Sequence, residues 1–161
     1  MAEQILQNWE KKAKERAKTY KAFFKNASPK KMLKLLPELH EEAFAAVDCL
    51  SCAQCCKNYS PRFKTPDIKR ISKSLGMKEG AFIDTYLNID EEGDYVLKST
   101  PCAFLSADNT CSIYDVRPSD CHRFPYTDED VFFKRPSITL KNISFCPAAY
   151  YVVEKLIEKT T

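Results

Sequence analysis

The sequence predicts a mainly α-helical chain with a small antiparallel β hairpin, and three observations carry that reading. Apolar residues recur at steps of three and four through 3–24, 66–87 and 147–157. Glycine is scarce, with three in 161 residues, which excludes a Gly-rich phosphate loop and an all-β fold full of tight turns. Two short runs, Tyr95-Val96-Leu97 and Ala103-Phe104-Leu105, have strand composition and lie between turn sequences.

Taken in order, residues 3–24 read as one amphipathic helix, with Ile5, Leu6, Trp9, Ala13, Ala17, Tyr20 and Phe24 on its apolar side. Lysines 11, 12, 14 and 18, with Glu15 and Arg16, fill a basic, solvated face. Ser28-Pro29 starts a short helix to about Leu35, and Pro37 starts another to about Val47. His40 on that helix, beside Glu41 and Glu42, reads as a surface histidine rather than a ligand. Thr65-Pro66-Asp67 opens a helix with Thr65 as its cap, and Gly76 ends it. A further helix runs from about Lys78 to Leu87. The two helices resemble a helix-turn-helix in spacing, but residues 78–84 offer little to reach phosphates or base edges. The middle of the chain is expected to form a hairpin or meander with a cysteine at each end. Residues 128–145 are expected to hold a polar loop and one strand, and Pro147 to start a C-terminal helix burying Tyr150, Tyr151, Val153, Leu156 and Ile157.

A length of 161 residues suits one domain. The expected organisation is an N-terminal helical region, 1–47, packed on a cysteine-rich domain, 48–161. No apolar run approaches a membrane span, and the N-terminus lacks the layout of a signal peptide, so the expected location is the cytoplasm, with no membrane partner.

Eight cysteines in a cytosolic chain read as metal ligands rather than disulfides. Four fall in Cys49-Leu50-Ser51-Cys52-Ala53-Gln54-Cys55-Cys56, and Cys102, Cys111, Cys121 and Cys146 follow. All eight are candidate ligands, and the fold then reads as a single compact domain stapled by cysteine-ligated metal. A Cys-x-x-Cys pair converges two thiolates on one metal, and zinc and iron–sulfur sites share it. Cys49, Cys52 and Cys55 have ferredoxin-like spacing, and Cys146-Pro147 is the kind of remote dipeptide that completes such a cluster. Vicinal Cys55 and Cys56 point different ways, which makes two centres as natural as one. A loop would group 49/52/55, whereas a helix would group 49/52/56. Cys102, Cys111 and Cys121 are expected to approach that segment. With two four-thiolate sites on dications, each about −2, the formal charge of +3 becomes roughly −1, so the weak basicity argues against a nucleic-acid partner. His122 is a possible ligand or hydrogen-bond donor to one, while Arg117 and Arg123 are placed to offset the charge of the centre or to pair with Asp115 and Asp120.

The ordered set Cys49-x-x-Cys52-x-x-Cys55-Cys56, Thr65-Pro66-Asp67-Ile68-x-x-Ile71, Leu75-Gly76-Met77, Pro101-Cys102-x-Phe104-Leu105, Cys111-x-Ile113-Tyr114-x-x-Arg117-Pro118-x-x-Cys121 and Phe124-Pro125 resembles the YkgJ-type cysteine-cluster family of zinc- or iron-chelating domains over roughly 48–147. The resemblance implies metal chelation by the cysteines. Members of that family are often described as iron–sulfur oxidoreductases, and a related cysteine pattern occurs in flagellin lysine methylases. The chain departs from the family pattern at His122, where an arginine is common; Arg123 comes one place later.

Three functions therefore compete. One is an iron–sulfur redox protein with an unknown protein or redox partner. The second is a zinc-stabilised binding module without catalysis. The third is a protein-modifying enzyme, for which His122, Asp120, Tyr114 and Tyr126 are the concentrated acid–base candidates; no Ser/His/Asp order, His-Glu-x-x-His motif or paired-carboxylate signature supports it.

Overall fold

The computed structural model describes residues 2–160. In chain order the elements are α1 (Ala2–Leu6), α2 (Trp9–Glu15), α3 (Ala17–Asn26), α4 (Pro29–Met32), α5 (Leu36–Ala46), α6 (Cys49–Cys52), α7 (Gln54–Asn58), α8 (Thr65–Ser74), α9 (Glu79–Tyr86), β1 (Leu87–Ile89), β2 (Tyr95–Leu97), a 3-10 turn (Tyr114–Val116), α10 (Ser119–Arg123), α11 (Val131–Lys134), α12 (Pro136–Ile143) and α13 (Pro147–Thr160). The fold is mainly helical with one small antiparallel sheet, as the sequence predicts.

Several local expectations are corrected. The helix expected over 3–24 is three helices, broken at Asn8 (φ 56°) and at Arg16. Asparagine is one of the few residues that enters the left-handed region at modest cost. The hairpin pairs β1 with β2 in the register Leu87↔Leu97, Asn88↔Val96 and Ile89↔Tyr95, while residues 103–105 contribute only the single bridge Leu105↔Cys111. Residues 131–143 form helices instead of a strand, because Pro136 sits in the first turn of α12 and fixes a helical φ there.

Contacts divide the chain into two compact units. The first comprises Met1–Cys49 and Pro125–Thr161, and the second Leu50–Phe124. The C-terminal helix thus shares a unit with the N-terminal helices, a division that runs differently from one at residue 47.

The first unit is built on α13. Ala148, Ala149, Tyr150, Tyr151, Val152, Val153 and Leu156 are all buried. A helix apolar on most of its circumference needs partners on several sides, and α1, α2, α5 and α12 pack on it. Leu36, Leu39 and Ala43 of α5 are fully covered. Phe24 of α3 meets Phe132 and Phe133, with ring centroids 5.5 and 6.0 Å away. Glu154 of α13 accepts hydrogen bonds from Arg16 Nε at 2.6 Å and from the Tyr20 hydroxyl at 2.5 Å. Burial, and then the bond to Glu154, pushes Tyr20 well above the usual phenol range. His40 is partly buried and tied to the Thr127 hydroxyl at 2.7 Å, so it fixes α5 to the start of the C-terminal segment. That agrees with a non-ligand histidine but corrects its surface placement.

The second unit has a smaller core: Phe63, Ile68, Ile71, Phe82, Leu87, Leu97, Phe104 and Ile113, with Cys102 and Cys111 packed against it. Helix α8 supplies Ile68 and Ile71 on one face and ends before Gly76, whose φ of 67° is available to glycine without strain. The N-cap of α8 is Lys64 and not Thr65: its backbone N–H donates to Asp67 Oδ2 at 3.0 Å. The hairpin lies over this core, and Phe63 N–H donates to Tyr95 O at 2.8 Å.

Candidate metal centre

The cysteine segment is neither a plain loop nor one helix. Helix α6 ends at Cys52, Ala53 is buried with φ 50° and ψ 14°, and α7 begins at Gln54. An alanine in the left-handed region costs about 1–2 kcal/mol, a cost offset by its burial and by the two helical turns it joins. The reversal puts Cys55 and Cys56 in the first turn of α7. The Cys55 thiol hydrogen-bonds Cys56, and this lowers the Cys56 thiol to about 7 despite its burial.

Backbone bonds bring the later cysteines to the same place. Cys102 N–H donates to Cys56 O at 2.7 Å, which ties the 102 segment directly to α7. Cys102 O accepts from Leu105 N–H at 3.1 Å, and Ser112 N–H donates to Phe104 O at 2.8 Å, closing the turn that carries Cys111 back beside Cys102. The 3-10 turn and Pro118 then lead into α10, where Cys121 N–H donates to Pro118 O at 2.9 Å.

The result is a set of four mutually neighbouring thiols. Cys102 interacts with Cys56 and Cys111, Cys111 with Cys56, and Cys121 with Cys56, Cys102 and Cys111. Every pair of the four is therefore in electrostatic contact. Burial pushes Cys102 up to about 11, and its cysteine neighbours add to that. Burial raises Cys111 as well. Cys121 is raised furthest, by burial first and then by Cys56, Cys102, Cys111 and Asp120. Cys102, Cys111 and Cys121 thus resist ionisation while Cys56 ionises readily, and a cation reverses the resistance of the three.

The remaining cysteines are placed differently. Cys52 is half-buried. Cys49 is exposed and Cys146 is buried; both belong to the first unit. All eight carry thiols and not disulfides. Among the described residues no three histidine, cysteine, aspartate or glutamate side chains are already converged on one metal position. The quartet fits a soft or borderline metal by its chemistry: four sulfur donors, from three separate stretches of chain, in a mainly buried place.

Around the quartet stands a charged frame that the cysteine pattern does not announce. Asp120, fully buried next to Cys121, accepts from Arg62 N–H at 3.1 Å and from Arg62 Nε at 2.9 Å. Arg123 Nη1 lies 3.7 Å and Lys64 Nζ 3.9 Å from its other oxygen. Asp67, also buried, accepts from Lys64 N–H, Ser119 N–H and Arg70 Nη2 at 2.9–3.1 Å. Burial opposes ionisation of Asp67, but these hydrogen bonds outweigh it and hold the carboxyl below its usual range. Arg70 also donates to Val116 O and Arg117 O. The two aspartates thus lock α8 to the segment that delivers Cys121.

Arg117 stacks over Tyr114, 3.9 Å from the ring centroid, and its charge favours the Cys111 thiolate. It offsets charge at the thiol set, whereas Arg123 pairs with Asp120. His122 is lowered by burial and then by Arg117 and Arg70, which disfavours the imidazolium. Of the acid–base candidates, Asp120 is consumed by ion pairs, and Tyr126 is buried in the first unit. The sequence signal for the frame was Asp67 in the first turn of a Pro-started helix. Nothing local foretells Arg62 or Arg70 as its partners.

No curated protein and no solved structure matches the chain. No helix of the described residues is long and apolar enough to cross a membrane. The model of one family, CxxCxxCC, described as "Putative zinc- or iron-chelating domain", matches residues 48–146. That stretch is well over half of the chain and contains all eight cysteines. The chain belongs to the CxxCxxCC family of zinc- or iron-chelating domains.

Proposed function

We propose that Cys56, Cys102, Cys111 and Cys121 form a closed four-thiolate zinc centre that staples the second unit, and that the protein works as a metal-stabilised binding module. The observation that carries this reading is that each of these four thiols interacts electrostatically with the other three. Four protein ligands complete a tetrahedral zinc shell and leave no position for water, so the metal contributes folding energy and not Lewis-acid chemistry. The second unit needs such a staple, because its core is eight buried apolar residues.

A second reading is favoured by one observation. Cys55 is hydrogen-bonded to Cys56, so a fifth thiol adjoins the quartet. The same thiolates accept an iron–sulfur cluster, which gives the protein an electron-transfer or redox-sensing role with a protein partner. No feature of the site favours methyl transfer or another modification of protein side chains.

Metal and acid-labile sulfide analysis of anaerobically purified protein separates the two. Colourless protein with one zinc per chain and no sulfide supports the staple. Brown protein with stoichiometric sulfide overturns it in favour of the cluster, and two metals per chain place a second centre among the other cysteines.

A further inference from the structure

The formal charge of +3 hides a strong segregation. Between Glu15 and Glu38 there are seven cations, Arg16 and lysines 18, 21, 25, 30, 31 and 34, and no carboxylate, so the rest of the chain carries −4. Arg16 is engaged with Glu154. The six lysines are all exposed, and none forms an ion pair among the described residues. This differs from the arginines of the second unit, where Arg62, Arg70 and Arg123 are spent on buried carboxylates.

The lysines are also ordered. Lys18, Lys21 and Lys25 lie at offsets of three and seven in α3, within about 60° of one another around the helix and along roughly 10 Å of its axis. Tyr20 and Phe24 face a side roughly 110° further round the helix and are used in the core. Lys30 and Lys31 follow in α4, and Lys34 lies in the turn before α5.

We infer that these exposed lysines of the first unit, led by the α3 row Lys18, Lys21 and Lys25, bind the phosphate backbone of nucleic acid without reading sequence. Closely spaced point charges with no carboxylate among them in the sequence suit a polyanion with regularly spaced charge. An acidic protein partner fits less well, because interface cores are enriched in arginine and aromatic residues and depleted of lysine. A lipid surface fits less well because the apolar side of α3 is committed to packing and offers no residue to insert. Backbone contact alone carries no sequence information, which agrees with the lack of a base-reading helix. This inference is independent of the metal reading.

The test is fluorescence anisotropy with a labelled 20-bp duplex DNA of mixed sequence and the metal-loaded 161-residue chain at about 50, 100 and 200 mM KCl. A second duplex sequence, vesicles of 30% phosphatidylserine in phosphatidylcholine, and a poly-glutamate peptide run in parallel. The expected result is equal binding to both duplexes with a log–log salt slope near −0.9 per lysine engaged, about −5 for all six. The variant K18Q/K21Q/K25Q is expected to bind at least tenfold more weakly at 100 mM KCl, with the slope reduced by about 2–3. If its helix content or metal content departs from wild type, K30Q/K31Q/K34Q gives the same readout. No binding at 50 mM KCl overturns the inference, as do unchanged binding by both variants, or vesicle or poly-glutamate binding as tight as that of the duplex.

Discussion

The two units solve the problem of stability with different materials. The first surrounds one nearly all-apolar helix, α13, with partners on several sides and keeps most of its charge outside. The second has a core about half that size and relies on internal polar structure: two buried aspartates, three arginines and four adjacent thiols. Buried polar groups of this kind stabilise only when every partner is present. The first unit should therefore respond to change gradually. The second should respond sharply, and the sharpest response should follow the metal.

Metal removal is the largest lever. Stripping the ion should expose the amides of Phe82, Ile113 and Cys121 to exchange, with a loss on the order of several kcal/mol, while Leu39 and Val152 keep their protection. Hydrogen exchange with mass spectrometry reads both units at once. Equal loss in both would break the contrast.

Core truncation comes next and should tell the units apart less. Phe82→Ala, at a fully buried ring flanked by Phe63, Tyr86 and Phe104, should cost about 3–5 kcal/mol. Leu39→Ala in the first unit should cost about 2–5 kcal/mol. Urea denaturation of the metal-loaded proteins measures both.

The charged frame should follow. Asp120→Asn leaves Arg62 and Arg123 without their carboxylate, but those guanidiniums are about 40% exposed and can rehydrate. The expected cost is about 1–3 kcal/mol, with a loss of affinity for metal, because Cys121 is the next residue. An unchanged urea midpoint and unchanged metal retention would remove Asp120 from the account.

The smallest effects are with pH, and the units should differ in direction. The folded Asp67 carboxyl lies below its unfolded value, so the stability it confers is present above about pH 4 and is lost as the pH falls through the folded value. The folded Tyr20 hydroxyl lies above its unfolded value, so the stability it confers is present below about pH 10 and is lost as the pH rises through the folded value. Asp67→Asn should flatten the acid limb of the stability profile and Tyr20→Phe the alkaline limb; each variant flattening the other's limb would contradict these assignments.

What the sequence discloses follows the range of the interaction. Helices α8 and α13 are readable because their signals lie within a few residues: Pro66 and Asp67 in a first turn, Gly76 past an end, Pro147 before an apolar run. The break at Ala53 is not readable, since alanine has no preference for the left-handed region and adopts it here because two turns and a buried position require it. The helices over 131–143 are hidden by β-branched and aromatic residues whose fate is set by α3 and α13. The approach of Cys102, Cys111 and Cys121 to the 49–56 segment is legible from composition. The choice of Cys56 as the common neighbour is not, because it depends on a backbone bond, Cys102 N–H to Cys56 O, between residues 46 apart.

Alkylation of the eight thiols, followed by mass spectrometry with and without a chelator, tests the assignment of the centre most directly, since it needs no variant to fold. Cys56, Cys102, Cys111 and Cys121 should be protected in the metal-loaded protein and react together once the metal is removed, while exposed Cys49 reacts in both states. Equal reactivity of those four before and after metal removal, or metal-dependent protection confined to Cys49, Cys52 and Cys146, would contradict the four-thiolate centre.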